Sequence, residues 1–203
     1  MVKKKTKELS LPFESENKVK KIVKWQQEEH SGSMECYGLK NVFVCINELA
    51  YNDDWIEYSA WTDGACDNMH PEGPGGSAYL ILKDNTILIQ RSKGFKHTTN
   101  NRMEMLAIIS AMKYVASISK KARIDIYSDS QYSINVFSGR WRGKMNFDLI
   151  DLFKEYAKKM NKVVFHWVKG HSGVSYNEMA DRLSYEAYLQ VARENGYEIG
   201  KYV

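Results

Sequence analysis

Cysteine is scarce in this chain, and what there is has no shared spacing. Cys36, Cys45 and Cys66 are the only three in 203 residues, with no CxxC pair among them. An odd, unpatterned set argues for free thiols in a reducing compartment and against a disulfide framework. His30 with Cys36 and Cys45 fits no structural zinc spacing. No apolar run approaches the ~20 residues of a membrane span, and the N-terminal lysines are not followed by an apolar signal core. A cytoplasmic chain without a membrane partner is therefore expected. Internal repeats and low-complexity tracts are also lacking, which excludes solenoid arrays.

Net charge is small as well, +4 over the whole chain, but it is unevenly placed. Residues 1–24 carry eight lysines against three glutamates, a net of +5, so residues 25–203 sum to −1. The basic character sits in the N-terminal segment, which suits a nucleic-acid partner without demanding one. With 43% hydrophobic residues, the chain is long enough for one well-buried domain and an appendage, and short for two full domains.

Three regions follow from patterning. Residues 1–55 form a basic extension: an expected disordered start to about residue 16, a short helix over 17–29, and a strand within 39–49 around Val42-Phe43-Val44-Cys45-Ile46. Residues 56–195 form the main domain and residues 196–203 a tail. Strands are expected over 57–62, 77–82 and 86–91, the last two joined by the hairpin signal Asp84-Asn85. A helix follows Thr98-Thr99-Asn100-Asn101 with Met103, Leu106, Ala107, Ser110 and Ala111 at helical spacing. Then come a strand over 123–127, helices over 131–137 and 147–160, a strand over 162–168, and a last helix from a capping box at Ser175-Tyr176-Asn177-Glu178. The order βββαβααβα predicts an α/β fold: a five-stranded mixed sheet with helices on both faces, plus the small N-terminal extension.

The chain centres on Trp61-Thr62-Asp63-Gly64-Ala65, where a strand delivers Asp63 at or just past its end and Gly64 marks a close turn. Asp129 ends the fourth strand. Glu104 lies in the first turns after Asn100, and Asp181 lies six residues past Ser175. With strands one and four adjacent, Asp63 and Asp129 stand side by side, and two helices lean Glu104 and Asp181 over the same point. Four such carboxylates repel unless cations fill the space. Two divalent ions about 4 Å apart would neutralise them and clamp a phosphate during in-line displacement.

Six motifs occur in order: Thr62-Asp63-Gly64-Ala65, Gly73-Pro74-Gly75-Gly76, Thr98-Thr99-Asn100-Asn101-Arg102-Met103-Glu104, Ser128-Asp129-Ser130-Gln131-Tyr132, Trp167-Val168-Lys169-Gly170-His171 and Asn177-Glu178-Met179-Ala180-Asp181. Together they closely resemble type 1 ribonuclease H over residues 56–190. The resemblance implies a ribonuclease H-like fold and an endonuclease that hydrolyses the RNA strand of RNA–DNA hybrids, leaving 3′-hydroxyl and 5′-phosphate ends. It implies two Mg2+ ions, with Mn2+ as a substitute. Asp63 would bridge both, Asp181 would complete the site that activates water, and Glu104 and Asp129 would hold the ion at the leaving oxygen. His171, in a Gly170-His171-Ser172-Gly173 loop, would assist proton movement or product release.

Asn100, Asn101 and Gln131 match family positions that read 2′-hydroxyls, the groups that distinguish RNA from DNA. Thr99 matches a DNA-phosphate contact; helix capping by Thr99 or Asn100 is a compatible role. Trp141, between Arg140 and Arg142, either stacks on the DNA strand or serves as a helix-end hydrophobe. The family's substrate asparagine falls at Asn68 or His70, and its basic handle is reduced to Arg140–Lys144. A transposase or integrase on the same fold is disfavoured by Asn100-Asn101 and the His171 loop; an inert hybrid-binding module is disfavoured by the intact acid set. A monomer is expected.

Overall fold

The computed structural model describes residues 34–45, 57–67, 69–70 and 72–199. The expected basic start, the helix over 17–29 and Asn68 lie outside the described residues. A seven-stranded mixed sheet runs in the order β1-β2-β7-β6-β3-β4-β5. The five expected strands are β3 (Tyr58–Cys66), β4 (Gly75–Lys83), β5 (Thr86–Phe95), β6 (Arg123–Ser128) and β7 (Lys162–Trp167). The two further strands, β1 (Met34–Glu35) and β2 (Val42–Cys45), come from the extension. β2 pairs parallel with β7, from Val42↔Val163 to Val44↔Phe165, and takes the edge that β7 otherwise exposes.

β3, β4 and β5 form an antiparallel meander. Its second turn uses Asp84 and Asn85 at φ 50° and 60°, the paired left-handed residues of a type I′ hairpin. β6 and β7 add in parallel through crossover helices. The helices are α1 (Asn100–Ile118), α2 (Gln131–Ser138), α3 (Phe147–Ala157) and α4 (Ser175–Glu194).

Strand alternation divides the core. Tyr58, Ala60, Ile124 and Ile126 face α1–α3 and pack with Met105, Ile108, Met112 and Phe153. Trp61, Leu80, Leu82 and Tyr127 face α4 and meet Ala180. Helices therefore cover both faces, as expected. Gly76 seats α4: a Cβ there would collide with the α4 backbone at Ser184 and Tyr188.

Candidate active site

The acidic centre begins with unequal strand lengths. β3 pairs with β6 only from Tyr58 to Trp61, then continues against β4 as far as Cys66. Asp63 sits two residues beyond the last β6 partner, inside β3 and not at its end. Gly64 is likewise in the strand and makes no turn. Its missing Cβ is needed because the backbone of Met103 and Glu104 packs directly on it, which a side chain would block. Asp129 follows the last residue of β6, Ser128. Glu104 enters from the second turn of α1.

One carboxylate oxygen from each of Asp63, Glu104 and Asp129 lies within 4.8 Å of the others. Burial, then the Asp129 and Asp181 charges, pushes Asp63 up to about 7 against the opposing Ser184 hydrogen bond. Burial and the Asp63 and Asp129 charges drive Glu104 well above the usual carboxylate range. Glu104 Oε2 is buried without a hydrogen-bond partner. An unpartnered buried acceptor beside two more carboxylates is a ligand set for a hard cation, which needs oxygen donors and removes the repulsion. The residues fit divalent ions.

Asp181 stands in a neighbouring group. His171 Nδ1 lies 3.8 Å from Asp181 Oδ2, and His171, Glu178 and Asp181 each offer one atom within 4.8 Å of the others. Burial first, then Glu178 and Asp129, raises Asp181, while His171 opposes the rise. His171 is exposed and has φ 51°, a left-handed conformation uncommon outside glycine. The expected capping box does not form. Val174 occupies the cap position, Ser175 is already helical, and Glu178 Oε1 instead accepts from Gly173 N at 3.1 Å.

Several supporting residues escaped the sequence reading. Ser184 Oγ donates to Asp63 Oδ2. Asn177 Nδ2 donates to Asp129 Oδ2 at 3.2 Å, and its Oδ1 is buried and unpartnered. Trp167 Nε1 donates to the Asp129 carbonyl at 3.1 Å. Gly170 leaves room for Asp129, since a Cβ there would stand 2.7 Å from Oδ2. Asn177, Asp181 and Ser184 recur at i, i+4 and i+7, a polar stripe on α4 that periodicity alone reveals.

The substrate-reading set divides. Thr99 caps α1, accepting from Arg102 N at 3.4 Å. Thr99, Asn101 and Trp141 line one open groove of about 1110 Å³ with Arg140, Arg142 and Lys144. Asn100 and Gln131 are exposed and lie outside its lining. Arg102 bonds Asp148 at 3.1 and 2.6 Å and Asn146 at 3.1 Å, fixing the start of α1 to the start of α3. Trp141 is 51% exposed. His70 Nδ1 contacts Asp67 Oδ2 at 2.6 Å and is absent from the groove lining.

A mixed sheet with helices on both faces, on which Asp63 from within a strand, Asp129 just past a strand and Glu104 from a helix converge, fits a carboxylate-centred, metal-dependent hydrolase. The family described as RNase H matches residues 57–188. A ribonuclease H of Pseudoalteromonas atlantica is 39% identical over 139 residues, covering 63% of this chain and 87% of that one. The N-terminal RNase H domain of a Mycobacterium tuberculosis protein superposes with a TM-score of 0.61 at 21% identity, over 68% of this chain and 96% of that domain. LC11-RNase H1, solved in complex with an RNA/DNA hybrid, superposes with a TM-score of 0.56 at 23% identity, over 66% and 97%. The chain belongs to the RNase H family.

Proposed function

We propose that the protein is an endonuclease that hydrolyses the RNA strand of RNA–DNA hybrids, with two Mg2+ ions and Mn2+ as a substitute, leaving 3′-hydroxyl and 5′-phosphate ends. The observation that carries this reading is the convergence of Asp63, Glu104 and Asp129 within 4.8 Å around an unpartnered Glu104 oxygen. Asp63, Glu104 and Asp129 would hold the ions together with Asp181 from the neighbouring group. When bound, the ions supply an activated water and charge stabilisation at the scissile phosphate.

The chain's own residues do the rest. Ser184 and Asn177 aim the Asp63 and Asp129 carboxylates, so that the ligand oxygens need no reordering. His171, exposed beside Asp181, would move a proton or help release product. Thr99 and Trp141 take the DNA strand in the groove, with Arg140, Arg142 and Lys144 supplying cations for its phosphates. Asn100, Asn101 and Gln131 present amides for 2′-hydroxyls. A monomer suffices, because all four acids come from one chain. The three free cysteines suit the cytoplasm, and among the described residues no helix is long and apolar enough to cross a membrane.

Incubation with matched RNA–DNA, RNA–RNA and DNA–DNA duplexes, with and without magnesium, tests the reading. Magnesium-dependent loss of the RNA strand in the hybrid alone is expected. Cleavage of the other duplexes at equal rate, or none of the hybrid, would overturn it.

A further inference from the structure

Residues 35–41 of the extension are built against the basic loop that follows α2. Asn41 Nδ2 donates to the carbonyls of Ala157 at 2.8 Å and Met160 at 3.1 Å, at the C-terminal end of α3. Gly38 abuts the end of α2: a Cβ on it would stand 3.1 Å from the Ser138 carbonyl oxygen. Gly139, the left-handed cap of α2 at φ 84°, is as close to Gly38 from the other side. The two glycines let the extension touch the loop backbone where the basic run begins.

Arg140 comes next. Its Nη2 donates to Tyr37 Oη at 3.3 Å and to Glu35 Oε2 at 3.4 Å. Its guanidinium carbon lies 4.8 Å from the centre of the Tyr37 ring, in cation–π range. Both hydrogen bonds use Nη2, so Nη1 and Nε have no protein partner among the described residues. Arg140 lines the groove with Thr99, Asn101 and Trp141. An arginine fixed at one end of its fork and open at the other suits a phosphate oxygen. Unbraced, its long side chain would have to lose rotamer freedom at the moment of binding.

We propose that Tyr37 and Glu35 are positioning residues for the nucleic-acid groove: the extension holds Arg140 in the orientation that meets a backbone phosphate of the DNA strand. This rests on the hybrid-nuclease reading above. It makes residues 35–41 a working wall of the groove and gives the extension a part in substrate binding.

The test is steady-state hybrid cleavage by the full-length wild type, Y37A, Y37F, R140A and the Y37A/R140A double variant, with thermal unfolding of each. Y37A should raise KM about two- to fivefold, the range of an exposed cation–π contact, and leave kcat in place. Y37F keeps the ring face and should recover most of the loss. The double variant should be no worse than R140A, because Tyr37 acts only through Arg140. Should Y37A misfold, Y37L carries the same comparison, since it keeps apolar bulk against the loop and lacks the ring. An unchanged KM in Y37A, or a Y37A penalty that persists undiminished in the R140A background, overturns the proposal while the nuclease reading stands. A wild type inert on hybrids overturns both.

Discussion

Asp63→Asn should stabilise the metal-free protein at neutral pH, and by an amount that depends on pH. In the fold Asp63 is raised from the ordinary 3.8 to about 7, chiefly by burial. A carboxyl raised on folding contributes its stability in full below the unfolded value of 3.8. That contribution is lost as pH rises toward and through 7, because only the unfolded chain ionises without penalty. Integrated over that interval, the raised carboxyl costs the fold about 1.5 kcal/mol at pH 5, where it keeps its proton, and about 4 kcal/mol at pH 8, where it ionises. The amide carries no such cost. Glu104 is pushed the same way, with Asp63 among the causes, so the substitution relieves both groups.

The assay is thermal unfolding of wild type and D63N in chelator from pH 5 to 8. The gap between the proteins should widen by about 2.5 kcal/mol across that range, or roughly 5–10 °C in Tm for a domain of this size. Millimolar magnesium at pH 8 should close it from the wild-type side, since cations bound to the native acids stabilise only the protein that holds them. Parallel pH profiles for the two proteins in chelator would refute a buried, repelling acid centre.

Asp129→Asn should abolish cleavage while hybrid binding persists, because the amide keeps the shape and loses the charge that holds a divalent ion; cleavage above about a tenth of wild type would remove Asp129 from the ligand set. His171→Ala should slow turnover without eliminating it, checked by comparing single-turnover and steady-state rates, and wild-type values for both would end its role. Gly76→Ala should lower stability by about 3 kcal/mol or more in denaturant unfolding, since the new methyl meets backbone of α4 and not a movable side chain. Deleting residues 1–24, with their net +5, should flatten the slope of log hybrid affinity against log salt by about three units if three phosphates are contacted, near 0.9 each; identical slopes would leave that segment a bystander.

What was legible in the sequence was local. Alternation and helical spacing placed the domain's strands and helices, and the offsets of Asp129 from Ser128 and of Glu104 from Asn100 could be read from them. What was not legible depends on pairing across distance. β2 was expected as a strand, but its parallel partner β7 begins at Lys162, more than a hundred residues on, and no local pattern announces that union. Ser184 and Asp63 are 121 positions apart, and Arg140 and Glu35 are 105. Asp63 was expected at a strand end because its apolar run stops there; the strand continues because β4 still pairs with it through Cys66. The Ser175 cap failed for a local reason: Ser-x-x-Glu satisfies the signature whether Ser175 is the cap or already the first helical residue, and here Glu178 turns to Gly173.

The polar stripe of α4 bears on the order in which the chain is made. Asp63, Glu104 and Asp129 precede Asn177, Asp181 and Ser184 in synthesis, and the last three arrive together on one helix. A nascent chain with its sheet and α1 formed has three of the acids but neither the hydroxyl and amide that aim Asp63 and Asp129 nor Asp181. Docking of α4 onto Gly76 delivers all three groups in a single step, so the fourth acid and the two side chains that aim Asp63 and Asp129 arrive together when that helix seats.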